Sequence, residues 1–295
     1  MAWELLRNAG DRVASLRQRA QKGIDQNYRV NDSYVANGDD LNRATMRAMG
    51  GVDELDKVAR AFSELLVAQN LDDFVRDHPS LTDVVSMLIT ITLFQKIYSA
   101  SDGVWQLRSQ FTKGGLTPDK DWMRSLVGII RANASAEHRV AIVSFNYDGL
   151  LERSMRMYWG GAERKYPPIE DCVEFVYPHG VMTELPEMVS RSVHFLEEQA
   201  QNIRLGENRD DVARERAKTL VAQADRIYSV GFSFSADNRA LLGLDDKRLN
   251  RNCFVQNFEN KDKRLSRILN EAHVPPDRRD DGDMDSLIRH GFFEL

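Results

Sequence analysis

Cysteine is scarce. The 295-residue chain has two, Cys172 and Cys253, and no Cys-x-x-Cys pair. A four-cysteine zinc site is therefore excluded, and a disulfide-built scaffold is not expected. Each cysteine sits in an apolar stretch, which suits a small buried hydrophobe in a reducing compartment. Excess charge of either sign is also missing. Lys and Arg number 40 against 45 Asp and Glu, and the net charge is −5, mixed along the chain. That balance argues against a general nucleic-acid or anionic-membrane binder. The longest apolar run, VVSMLITITLF at 84–94, falls short of the roughly 20 residues a spanning helix needs. The opening MAWELLRNAGDR lacks the basic start and apolar centre of a signal peptide. A cytoplasmic protein without membrane partners is expected. With 42% hydrophobic and 29% charged residues, the chain has enough apolar material for a substantial core.

What is present divides into two patterns. Residues 1–135 read as a helical region, either a lid or oligomerisation surface or part of the same domain. Leu55, Val58, Phe62, Leu65 and Leu66 share one face of a helix over 52–69. A second helix is expected over about 80–99, with Ser80 as its N-cap, and a third over about 119–133, opened by Pro118 and Asp119. KGGLTP at 113–118 reads as a loop, and 23–50 as loose helix and loop.

Residues 136–295 carry a different pattern. Four β-prone runs, 139–145, 172–178, 225–232 and 252–258, alternate with helical patterns at about 148–158, 187–223, 237–249 and 261–272. Continuous apolar strands interleaved with helices argue for an α/β fold: a doubly wound, mostly parallel, Rossmann-like sheet with the helical half packed on it. Such sheets bind ligands outside the carboxyl ends of their strands.

Those ends read FNYD (145–148), PHG (178–180), GFSFS (231–235) and QNFEN (256–260). Each has an ordinary structural explanation. Asn146 or Asp148 can cap the next helix, with Glu152 near its positive end. His179-Gly180 can be a turn, as His290-Gly291 is expected to be. Gly231 can relieve crowding and Asn257 can serve a turn. An acidic loop at 275–286 does not match a calcium loop: Arg279 stands where an acid is required, and Ile288 where the closing Glu belongs.

Four such ends in succession resemble the sirtuin-like family, in particular its bacterial antiviral NAD-hydrolase branch. IVSFNYDGLLERSM is similar to the family strand ending in Asn-x-Asp, and VEFVYPHG to the strand ending in His-Gly. ADRIYSVGFSFSADNRALL is similar to the Gly-x-Ser strand with its helix, and CFVQNFE to the last strand, ending in Asn. The resemblance covers about 119–270. It implies NAD as substrate, cleavage of the nicotinamide–ribose bond, and no metal. It further implies activation through a homo-oligomer or a defence-system partner protein. It assigns Asn146 to orienting the ribose or attacking water, His179 to general base and Asp148 to the nicotinamide carboxamide. Phe145, Gly180, Gly231, Ser233 and Asn257 become cofactor-binding positions, with Gly231, Ser233 and Asn257 toward the adenosine end.

One family part is missing: the first strand and its Gly-rich loop, whose N–H groups hold a pyrophosphate. Gly10 and Gly50-Gly51 follow helical patterns, and Gly114-Gly115 lies in a Gly/Pro loop. The strand is expected either upstream of Met1 or not at all, and the second case gives a nucleotide-binding or regulatory module without turnover. A protein deacylase is less expected, since two isolated cysteines cannot build that branch's zinc module. A generic α/β nucleotide or sugar binder is the remaining alternative.

Overall fold

The computed structural model describes residues 14, 15, 18, 71–101, 104–108, 122–133, 139–159, 166–183, 185–190, 193–205, 211–232, 234–256 and 263–293. In chain order its elements begin with α1 (Leu71–Asp77), a 3-10 turn (Pro79–Leu81), α2 (Thr82–Ile97), β1 (Tyr98–Ser101) and β2 (Val104–Leu107). There follow α3 (Trp122–Asn133), β3 (Val140–Val143), α4 (Leu150–Trp159), α5 (Ile169–Cys172), β4 (Val173–Val176), β5 (Met188–Ser190) and α6 (Val193–Gln201). The remainder comprises α7 (Asp211–Gln223), β6 (Ile227–Ser229), α8 (Ala236–Leu242), α9 (Asp246–Asn252) and β7 (Cys253–Gln256). It closes with α10 (Lys263–Glu271), a second 3-10 turn (Pro276–Arg278), β8 (Arg279–Asp280) and α11 (Met284–Arg289). The fold is mixed α/β. The expected helix at 52–69, the loop at 113–118, the weakly patterned 23–50 and the glycines at 10, 50, 51, 114 and 115 lie outside the described residues.

Two compact units interleave along the sequence. The first comprises Met1–Lys113, Asn146–Gly149 and His179–Arg209; the second comprises Gly114–Phe145, Leu150–Pro178 and Asp210–Leu295. The first is organised by α2, which is buried on nearly every side; Ile91 and Phe94 have no exposed surface. Burial so complete forces its polar residues to bond backward: Thr90 and Thr92 hydroxyls donate to the Ser86 and Leu88 carbonyls at 2.9 and 2.8 Å. The apolar stretch is longer than the run 84–94 suggested. The segment Pro79–Ile97 has the length and hydropathy to cross a membrane, yet most of it is buried, as in the core helix of a soluble protein. Ser80 is not its cap; it lies in the 3-10 turn, where the Thr82 hydroxyl donates to the Pro79 carbonyl at 2.8 Å.

The helical reading of the first half needs correction at 98–107. There β1 and β2 form an antiparallel hairpin, and β5 joins β2 through the pairs Val104↔Ser190 and Trp105↔Val189. The missed signal is Asp102-Gly103 between two short β-prone runs, a favoured hairpin dipeptide. Phe94 stacks on Tyr98 at 4.3 Å and meets Trp105 edge-on at 5.1 Å, so aromatic packing ties α2 to the sheet. The expected helix over 187–223 is also corrected: it is β5, α6 and α7, because β5 is recruited into this sheet.

In the second unit all four expected strands are present but shorter than their apolar runs. β3 and β4 pair in parallel, Val140↔Val173 through Val143↔Val176. β6, β7 and β8 form a separate parallel sheet, with Ile227↔Cys253 and Val255↔Arg279. The expected single sheet is thus two small ones among the described residues. Alternation along β3 and β4 still gives each face a core. Val140, Ile142, Val173 and Phe175 pack with Met123, Val127, Met155 and Trp159 of α3 and α4. Val143, Phe145 and Val176 instead join the cluster of Cys253, Val255, Leu265 and Leu269. Both cysteines are buried and outside any disulfide, filling the hydrophobic role expected of them.

Candidate functional site

β3 delivers the polar triplet. Ser144 continues the ladder by one bond, its N–H donating to the Val176 carbonyl at 2.9 Å. Phe145 remains with the core, its ring 5.0 Å from Phe232. The chain then turns polar: Asn146 is exposed, and Tyr147 and Asp148 are half-buried. Gly149, directly before α4, has φ +63, and a Cβ there would lie 3.0 Å from the Met182 carbonyl oxygen. Gly149 alone separates the triplet from α4. In the first turn of α4, Glu152 instead accepts from the Tyr177 hydroxyl at 3.0 Å and pairs with Arg156 at 2.8 Å.

β4 delivers His179 and Gly180 three and four residues after its last ladder position. His179 is buried, at 6% exposure. Its carbonyl accepts from the Arg204 N–H at 2.8 Å, and Gly180 bridges Ile203 in antiparallel fashion. Gly180 has φ +74, and a Cβ on it would fall 1.9 Å from the Asn202 carbonyl oxygen. No side chain fits that position. The exit of α6 thus grips the His-Gly turn, a contact that explains why helix does not run unbroken through 202–205.

The two loops are joined. The Met182 N–H donates to the Tyr147 carbonyl at 2.7 Å, and the Tyr147 and His179 rings lie 6.4 Å apart at 52°. Asn146, Asp148, His179 and Gly180 accordingly belong to the same compact unit. Tyr147, Met182 and the Asn202–Arg204 turn were not singled out in the sequence. For the turn, a signal existed in the Gly-terminated NIRLG that interrupts the helical pattern at 202–206.

The other strand ends belong to the second unit. Gly231 follows β6 at φ +60, exposed, with no described residue within 4 Å of a Cβ built on it. Ser233 and Asn257 lie outside the described residues. At the end of β7, the buried Gln256 amide donates to the Gly282 carbonyl at 2.7 Å. Among the described residues, no group of three or more His, Cys, Asp or Glu is placed to hold a metal ion.

Ion pairs flank the strands at a distance in sequence from these loops. Arg216 makes two 2.6 Å bonds to the Glu174 carboxylate of β4, and this guanidinium holds Glu174 below the usual carboxylate range. Glu170 is also held low, first by a backbone hydrogen bond and then by Arg156.

The chain has a mixed α/β fold with two polar loops joined at the ends of a parallel strand pair. No family model, curated protein or solved structure matches it.

Proposed function

We propose that the protein is a sirtuin-like NAD glycohydrolase with a Rossmann-like core, of the type used in bacterial antiviral defence, acting in the cytoplasm. The observation that carries this reading is the joining of the Asn-Tyr-Asp loop to the His-Gly loop, which supplies an amide, a carboxylate and an imidazole on tied backbone. Parallel pairing of β3 with β4 and of β6 with β7 supports it, since ligands of open α/β sheets bind beyond such strand ends.

In the reaction, the bond between ribose C1′ and the pyridinium nitrogen breaks, and its electron pair goes to that nitrogen. Nicotinamide leaves neutral, so no acid is required. C1′ passes through an oxocarbenium-like state, as in glycoside hydrolysis, and gains a bond to a water oxygen. His179 takes the proton that water gives up, the work a neutral imidazole does near neutral pH. Asn146 orients the water or ribose hydroxyl through its donor and acceptor, and Asp148 accepts from the nicotinamide carboxamide. The resemblance gives the adenosine end to Gly231, Ser233 and Asn257. Assembly of copies or a defence partner supplies the trigger.

Incubating the full chain with NAD tests this directly. Nicotinamide and ADP-ribose are expected in equal amounts, and His179→Ala is expected to slow release about 10²–10⁴-fold. No release by the parent chain, or equal release by His179→Ala, overturns the reading. A second reading, a nucleotide-binding module without turnover, is favoured by the missing Gly-rich phosphate loop. It predicts no nicotinamide release and no change in melting temperature with millimolar NAD.

A further inference from the structure

The two parallel sheets of the second unit part between β3 and β6. The rings just beyond these strands, Phe145 and Phe232, lie 5.0 Å apart, yet among the described residues the strands share no ladder. Burial changes across the same line. β4 and β7 bury Val173, Val176, Cys253 and Val255, whereas no residue of β3 or β6 is buried. Ala141 of β3 is exposed, and so is Val230, directly after β6. An unbroken Val-Ala-Ile-Val run has the composition of an inner parallel strand, not of an edge. Hydrogen bonding agrees. The Ser144 N–H donates to the Val176 carbonyl of β4, so the alternation of a parallel ladder turns the Ala141 and Val143 N–H groups to the opposite edge. Among the described residues no group accepts from either.

We propose that the edges of β3 and β6 accept one further parallel strand, supplied by a partner polypeptide, which joins the two sheets into one. Main-chain bonds to both edges give the affinity, as in other cases of strand addition. A single extended segment fits this place and a second copy does not. Two copies paired through their β3 edges join sheet to sheet and leave β6 as it was. The chemistry of the segment follows from the side chains of β3. Val140 and Ile142 pack with the α3–α4 cluster, and Val143 packs with the cluster of Cys253 and Val255. A strand lying beside β3 extends both clusters, so it is uncharged, apolar on both faces and about as long as the four residues of β3. This inference does not depend on the NAD reading; it rests on the split sheet alone.

Amide hydrogen exchange on the full chain tests it, with a lysine-flanked peptide carrying Val-Ala-Ile-Val, the sequence of β3, as the probe. In the free chain the Ala141 and Val143 amides are expected to exchange about 10-fold or more faster than those of Ile142 and Ser144. Millimolar peptide is expected to remove that difference and to slow exchange at 227–229 as well. Ala141→Pro deletes one outward N–H, a change an edge tolerates, and is expected to weaken the peptide about 5-fold or more. Should that variant fail to fold, N-methylating alternate residues of the peptide removes the same bonds from the other side and is expected to weaken it equally. Slow exchange at Ala141 and Val143 in the free monomer overturns the proposal. So does a peptide that protects neither strand, or β3 without β6. A dimer whose dissociation frees Ala141 and Val143 gives the edge to a second copy and overturns it too.

Discussion

The loops after β3 and β4 and the loop after β6 all turn through a glycine at positive φ, yet they are built to different standards. At Gly180 backbone closes in: the Asn202 oxygen sits 1.9 Å from where a Cβ would be, and the Arg204 N–H pins the neighbouring carbonyl at 2.8 Å. At Gly231 no described residue lies within 4 Å of the corresponding point. Among the described residues, packing demands the first glycine and positive φ favours the second. A histidine on the tightly held loop keeps one position, as a general base requires.

Substitution sharpens that contrast. Gly180→Ala is expected to cost about 3–5 kcal/mol, because steric overlap with backbone adds to left-handed strain. Chemical denaturation measures it, and a loss below about 1 kcal/mol means that the α6 exit yields easily and does not hold His179. Gly231→Ala is expected to cost only about 1–2 kcal/mol, from positive φ alone. A loss matching that of Gly180→Ala would erase the distinction between the loops. The smallest effect is expected at Glu174 and Arg216, whose bond braces β4 near its start. Glu174 is depressed in the folded state, so its contribution is present above the ordinary carboxylate pKa and fades as pH falls through the folded value. Melting temperatures of the parent and Glu174→Gln should therefore differ at neutral pH and converge in acid. A gap that persists unchanged in acid would assign the effect to packing rather than charge.

Legibility in the sequence follows the range of the forces involved. The strands at 140–143, 173–176, 227–229 and 253–256 were readable because burial on two faces requires unbroken apolar runs, and those runs are local. α10 was readable from apolar residues at helical spacing, Leu265, Ile268 and Leu269. Asp283 caps α11 by accepting from the Ser286 N–H at 2.8 Å. The hairpin at 98–107 was missed although Asp102-Gly103 marks it. Its strands are four residues each and directly follow a strongly apolar helix, which absorbed them into its pattern. Three-residue β5 carries almost no periodicity of its own and exists because β2 offers it an edge.

The candidate site divides in the same way. Asn146, Asp148, His179, Gly180 and Gly231 were visible as polar or small residues where apolar runs stop, and the sequence alone assigns them to strand ends. It says nothing of which ends meet. Only the tertiary structure joins Tyr147 to Met182 and His179 to Arg204, because those bonds link main-chain groups that every residue type except proline carries. Residue identity determines where the chain stops being a strand; backbone hydrogen bonding between distant segments, invisible in composition, decides which of those stops are held together.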